Sequence, residues 1–240
     1  MTCGYTLYLA TSSTNAASAH LCKRTGFEPI KDFTTVASVA AIPSILVVPA
    51  VSPFKSPKDI VNAAKAKPGK LSYGSGGIGA SAHLAGELFK SIAGIDVIHV
   101  PYKGSGPAIS DVMAGQLSYM FDTGAVPYIR GGKVRAIAVA AERRLRLFPE
   151  AATFTERGIK GMQMSAWYGL AAPSLTARAT IKKANRLRSS RSAPERQRPC
   201  RESRPAGASR QVHRAQHKCR PGSSLPEQLL AGLPLPGAGP

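Results

Sequence analysis

Between residues 34 and 140 the apolar positions switch repeatedly between short continuous runs and a spacing of three and four. Residues 36–40 and 45–48 are β-branched runs and predict strands. A helix signal follows at once: Ser56 stands as N-cap, Pro57 takes the first helical position, Ile60, Val61 and Ala64 share a face, and Pro68-Gly69 ends it. After a short strand at 71–73, the Gly-rich run 74–81 leads into a helix with Leu84, Ala85, Leu88 and Ile92 on one side and Gly94 as its C′ residue. Residues 95–100 predict a strand, 107–114 a helix closed by Gly115, and 117–121 and 134–140 two more strands. Repeated β-α-β of this kind predicts a mainly parallel sheet covered on both faces, with ligands at the carboxyl ends of its strands. The longest apolar stretch, 36–51, is broken by Ser38, Pro43, Ser44 and Pro49 and is shorter than the ~20 residues that cross a bilayer.

Composition changes this picture mainly at the ends. The 240 residues suffice for one generous domain or two small lobes, and a hydrophobic share of 43% with 23 Gly suits an α/β protein. The net charge of +19 is unevenly spread: residues 1–175 carry 18 Lys+Arg against 10 Asp+Glu, residues 176–240 carry 14 against 3. Residues 186–240 lack aromatic side chains and any sustained apolar period, and read as a disordered basic tail. Such a tail fits a nucleic-acid or membrane arm, a solvated extension, or translation out of frame, and its abrupt onset favours the last. Cys3, Cys22, Cys200 and Cys219 form no CxxC or zinc spacing; a Cys3–Cys22 disulfide stays open. The residues after Met1 lack a basic n-region and read as a strand, so no signal peptide is predicted and the start looks internal.

Three loops that follow predicted strands carry the candidate chemistry. Gly74, Ser75, Gly76, Gly77, Gly79 and Ser81, with His83 just beyond, place backbone N–H groups and a positive helix end together, which suits an anion. The run lacks the Lys of a P-loop, and its partial GxGxxG spacing is weak; a carboxylate site, a nucleotide site and a purely structural turn all fit it. His99 leads into the second loop, Tyr102, Lys103 and Gly104, which opens another helix or serves as a plain connection. His99 reads as a hydrogen-bonded core or hinge residue, since no nucleophile accompanies it. In the third loop, Asp122 and Thr123 end an apolar strand, where Asp122 either faces a ligand or caps the helix near 126–130.

These residues resemble, in order, the signature of the Bug-type receptors of tripartite tricarboxylate transporters. The match includes Asp32-Phe33-Thr34, Ser56-Pro57-Lys58-Asp59, the Gly-rich loop with Ser81-Ala82-His83-Leu84-Ala85-Gly86-Glu87, His99-Val100-Pro101-Tyr102-Lys103-Gly104 and Trp167-Tyr168-Gly169-Leu170. The resemblance implies an α/β, type II periplasmic-binding-protein-like fold of two lobes with mainly parallel sheets, crossed twice by the chain and closing on ligand as a hinged trap. Lobe one, incomplete, would hold 1–47 and 165–185, and lobe two 48–164. The resemblance also implies that carboxylates are held by backbone N–H groups, hydroxyls and waters, and it adds Thr11, Ser12 and Ser13 as a ligand-facing loop of lobe one.

The implied function is a monomeric, periplasmic, non-enzymatic receptor for a small carboxylate, with membrane transporter subunits as partners, no cofactor and no nucleic acid. No catalytic residue or metal site is assigned. The rivals are a nucleic-acid-binding protein acting through its basic tail, which lacks any base-reading motif, and a small-molecule enzyme using the Gly-rich loop, which lacks a nucleophile or paired acid. The chain departs from the family before Gly4 and after about residue 185, which predicts that in isolation it binds ligand weakly or not at all.

Overall fold

The structure, a computed structural model, describes residues 6–21 and 26–189. The four cysteines and the tail beyond 189 lie outside the described residues, so neither the Cys3–Cys22 pairing nor the tail's character is addressed by it. The chain divides into two compact units: the described residues up to Ala41 together with those from Trp167 onward, and the stretch between Ile42 and Ala166.

The first unit is built on a three-stranded sheet of order β1-β8-β2, where β1 is Tyr8–Thr11, β2 is Phe33–Pro43 and β8 is Ser165–Pro173. β1 and β8 are antiparallel. A π-helical turn, Ser12–Ala17, passes into the short helix α1, Ser18–Leu21. Tyr8 stacks on Phe33 with centroids 4.8 Å apart, and Val36, Ala37 and Ala172 form a small core. Ile181 and Ala184 of the last helix pack on that core. This helix runs Arg178–Ser189, past the expected end of lobe one at 185, because Arg186, Leu187 and Arg188 are all good helix formers that extend the turn without an apolar repeat.

The second unit holds a five-stranded sheet of order β5-β4-β6-β3-β7. Its strands are β3, Ile45–Pro49; β4, Ser72–Ser75; β5, Ile98–Pro101; β6, Tyr119–Asp122; and β7, Val134–Val139. Helices α2, Pro57–Ala66, α3, Ser81–Ala93, α4, Ser105–Met113, and the five-residue α5, Val126–Arg130, connect them. The sheet is mixed rather than mainly parallel: β4 pairs in parallel with β5 and β6, whereas β3 runs antiparallel to both β6 and β7. β3 is buried along its whole length, and its place between β6 and β7 assigns it to the second unit, whereas the resemblance puts the lobe boundary after Val47, inside it.

The α2 signal is met in full. The Ser56 side chain accepts the Asp59 N–H while the Asp59 carboxylate accepts the Ser56 N–H, and Pro57 fills the first position. In α3 the periodicity misplaces one residue: Phe89 is buried and Ile92 is exposed. The Phe89 ring meets Tyr119, Phe121 and Phe154 edge-on at 5.7–6.1 Å, and aromatic pairs of this geometry favour burial there over a branched residue one turn later. Among the described residues no helix is long and apolar enough to cross a membrane.

Gly86 lies in the middle of α3 because a Cβ there would stand 2.2 Å from Cε2 of Tyr73, a fully buried ring. Tyr73 cannot retreat, since it stacks between His99 at 4.9 Å and Tyr119 at 5.6 Å. Gly86→Ala is therefore expected to destabilise the second unit by about 1–3 kcal/mol despite the better helix propensity of Ala, as measured by urea unfolding. Unchanged or raised stability would show that the Tyr73 ring has room to move.

Candidate functional site

β5, β4 and β6 are adjacent and parallel, so their carboxyl ends, Pro101, Ser75 and Asp122, leave the sheet side by side. The first two loops are bonded together: the N–H of Tyr102 donates to Ser75 O at 2.9 Å and that of Gly104 to Gly76 O at 3.0 Å. A Cβ on Gly76 would lie 3.1 Å from the Ser105 nitrogen and 3.2 Å from the Gly104 carbonyl carbon, so the contact between the loops admits only glycine without a shift. Gly104 also adopts φ +111°, a conformation that disfavours side chains.

The three long helices of this unit differ in how they begin. Ser56 and Asp59 cap α2 with their own side chains, whereas Ala80 before α3 and Gly104 before α4 supply no side-chain cap. The first N–H groups of α3 and α4 have no intrahelical acceptor and carry the positive ends of the helix dipoles. Two helices without side-chain caps thus follow the two loops that are bonded together.

Beneath the first loop lies a buried polar cluster. Ser75, fully buried, places its hydroxyl 2.7 Å from Nε2 of His99 and 3.1 Å from Gly77 O, and accepts the Gly77 N–H at 3.2 Å. The Gly79 N–H donates to Nδ1 of His83 at 3.2 Å, and the His83 and His99 rings stack with centroids 4.2 Å apart. Tyr73 donates from its hydroxyl to Glu87 at 2.6 Å, and Lys90 pairs with the same carboxylate at 3.3 Å. Burial lowers the His83 imidazole below its ordinary range; burial, then the neighbouring His83, brings His99 down to about 4.

The predicted site residues separate into distinct positions. Gly76, Gly77 and Gly79 form the loop, and Ser81 opens α3 half-buried. Gly74 serves packing, since a Cβ there would meet Leu117 Cδ1 at 2.5 Å. Ser75 and His83 point their polar atoms back into their own loop. Lys103 is exposed, and Tyr102 donates to Asp111 at 2.5 Å, a bond that raises its phenol to about 12. Asp122 is only 9% exposed; burial raises its carboxyl, opposed by the N–H groups of Gly124 and Thr123. It does not cap α5, whose N-cap is Ala125 with no side-chain bond, because the carboxylate is held by the residues directly after it. Thr123 is half-buried.

Thr11, Ser12 and Ser13 belong to the first unit. Thr11 caps the π-helical turn in a reciprocal box with Thr14, Ser13 is half-buried, and the buried Ser12 hydroxyl has no partner among the described residues. Ser105, whose nitrogen and hydroxyl lie against Gly76, escapes the motif reading because nothing in its spacing marks it. Gly86 was detectable as a glycine in a helix interior, where it is tolerated only for close approach. Among the described residues no group of three His, Cys, Asp or Glu is placed to hold a metal.

Residues 2–200 match the family described as the tripartite tricarboxylate transporter family receptor. The chain belongs to this family. The UPF0065 protein in the tcbD-tcbE intergenic region of Pseudomonas sp. strain P51 is 39% identical over 165 residues, 68% of this chain and 49% of that protein. The chain spans about half the length of the curated relatives it matches. Among solved structures, a periplasmic transporter is 38% identical with a TM-score of 0.72, covering 77% of this chain and 63% of that one. An R. palustris protein with adipate gives 30% and 0.73 over 76% and 62%, and MatC from Rhodopseudomonas palustris with bound malate 32% and 0.72 over 78% and 64%. The expected α/β two-lobe class of periplasmic binding proteins is the fold of these neighbours.

Asp122 gives a test of the site's electrostatics without ligand. Burial raises its pKa in the folded chain, so folding binds protons and the parent gains stability as pH falls through that range. Asp122→Asn keeps an oxygen for the Thr123 and Gly124 N–H groups and removes the charge. It is expected to be more stable than the parent at about pH 7, with the gap closing towards about pH 3, where both side chains are neutral; urea unfolding at each pH checks this.

Proposed function

We propose that this chain is the recognition component of a periplasmic solute receptor that binds a small carboxylate and delivers it to the membrane subunits of a tripartite tricarboxylate transporter. The observation that carries the reading is that the two helices without a side-chain cap, α3 and α4, follow loops that leave the carboxyl ends of adjacent parallel strands and are bonded to each other. A carboxylate brings two oxygens with about four lone-pair positions, which match a cluster of N–H donors. Neutral donors and helix dipoles hold an anion there without a fixed counter-charge, and the exposed Lys103 in the second loop adds attraction from its rim. Adipate and malate in the similar structures have this chemistry. Asp122 and Thr123, leaving the neighbouring strand, orient the ligand's polar groups or a bound water.

The reading involves binding alone. No turnover, cofactor or nucleic acid is invoked, and the receptor acts as a monomer. A ligand that binds only the folded chain raises its unfolding midpoint, and at about ten times its Kd the gain is about 1.4 kcal/mol. For a chain of this size that corresponds to roughly 3–6 °C. Thermal unfolding with malate, adipate, citrate, glutamate and benzoate, taken to tens of millimolar, is expected to give such a shift with at least one acid, and Gly76→Ala is expected to remove most of it while unfolding stays cooperative. The absence of a shift with every acid, in a chain that unfolds cooperatively, would overturn the reading.

A further inference from the structure

We propose that His83 is a positioning residue for the anion loop, and that the loop keeps its binding shape only while His83 is neutral, so that ligand affinity is coupled to a proton taken up at Nδ1 of this side chain. The proposal rests on the anion-loop reading above and adds to it a residue that does not touch ligand.

The geometry carries it. The backbone N–H of Gly79 can only donate, and it points at Nδ1 of His83 at 3.2 Å, so that nitrogen must hold its lone pair and the imidazole proton must sit on Nε2. A second proton from solvent would put an N–H against an N–H. The Gly79 bond would then break, in a side chain 8% exposed that cannot swing into water without opening the first turn of α3. Gly79 lies two residues before Ser81, which opens that helix, so losing this bond releases the loop where its N–H groups gather.

His99 does not impose the same condition. Ser75 has one hydroxyl proton and two acceptors in reach, Nε2 of His99 at 2.7 Å and Gly77 O at 3.1 Å. If His99 is protonated it donates to Ser75, and Ser75 donates to Gly77 O, so the network survives. The sensor is therefore His83, and His99 acts on it as the stacked neighbour whose own charge would oppose a second one.

The groups packed around His83 act in both directions. On α3, Glu87 favours its protonated form and Lys90 opposes it. From β4, Tyr73 binds Glu87 and draws on its charge; from β5 comes His99; from β6, Tyr119 is fully buried. Burial keeps both tyrosines protonated well above their ordinary range, so neither changes charge as the histidines titrate. Burial is the largest influence on His83 and lowers it. The neutral, bonded form therefore prevails at the ordinary value of 6.5 and above, and it is lost as pH falls through the lowered value of the folded chain.

The experiment uses the full 240-residue chain and reads the loop directly. Imidazole nitrogen shifts and the Gly79 amide shift are followed by NMR on acidification, with the affinity for adipate and for malate measured over the same range. The expected result is that the Gly79 amide moves with the midpoint of His83 rather than that of His99, and that affinity falls on the order of tenfold over the same step, the worth of one hydrogen bond to a positioned group. His83→Asn offers an oxygen near the Nδ1 position that does not titrate, so its affinity, whatever its level, is expected to stay flat through the parent's step. His83→Leu is expected to lose Gly79 protection at every pH while still unfolding cooperatively.

A Gly79 amide that passes through the His83 titration unmoved would overturn the proposal, as would an acid loss in His83→Asn equal to that of the parent. If the amide and His83 titrate together but neither acid binds at any pH, the receptor reading fails for those acids and the proton coupling of the loop stands.

Discussion

The parallel alignment of β5, β4 and β6 is the constraint from which the candidate site follows. Parallel neighbours send their carboxyl ends to the same edge, so three loops that are distant in sequence emerge next to one another. Two of them then bond through Tyr102 to Ser75 and Gly104 to Gly76, and a side chain at Gly76 would require the loops to shift apart. α3 and α4 each begin from one of these two loops. The proposed anion site at this edge thus depends first on strand direction and on glycine at one position.

Support for that edge comes from below. Tyr73 is pressed between His99 and Tyr119, sits over Gly86, and holds Glu87 through its hydroxyl. His99 and His83 continue the stack and reach the loop through Ser75 and Gly79. Residues that look like ligand donors in a list of hydroxyls and imidazoles are therefore engaged in holding backbone. In the proposed reading the labour is divided accordingly: backbone N–H groups receive the anion, and side chains fix where the backbone goes.

Membership of the tripartite tricarboxylate transporter receptor family accounts for the order of the motifs, from the Ser56 cap to Gly169. Within the second unit the candidate loops are bonded to each other, and burial sets the electrostatics of their titratable groups: Asp122 is raised, and His83 and His99 are lowered, each chiefly because charge is disfavoured away from water.

The amino-acid sequence by itself determined the local features whose causes are local. The α2 cap is visible in Ser56, Pro57 and Asp59 because a capping box closes within four residues, and the Gly94 end of α3 because a left-handed residue there requires glycine. Alternating strand and helix periods likewise gave the α/β class, and the spacing of glycines after a strand gave the candidate loop. What only the tertiary structure decided depends on neighbours remote in the chain. The reversed direction of β3, the choice of Phe89 over Ile92 for burial, and the inward turn of Ser75 and His83 are of this kind. None of these carries a signal within its own segment, because strand pairing, ring packing and the destination of a hydrogen bond are settled by groups that folding brings together, such as His99, 24 residues after the Ser75 it holds.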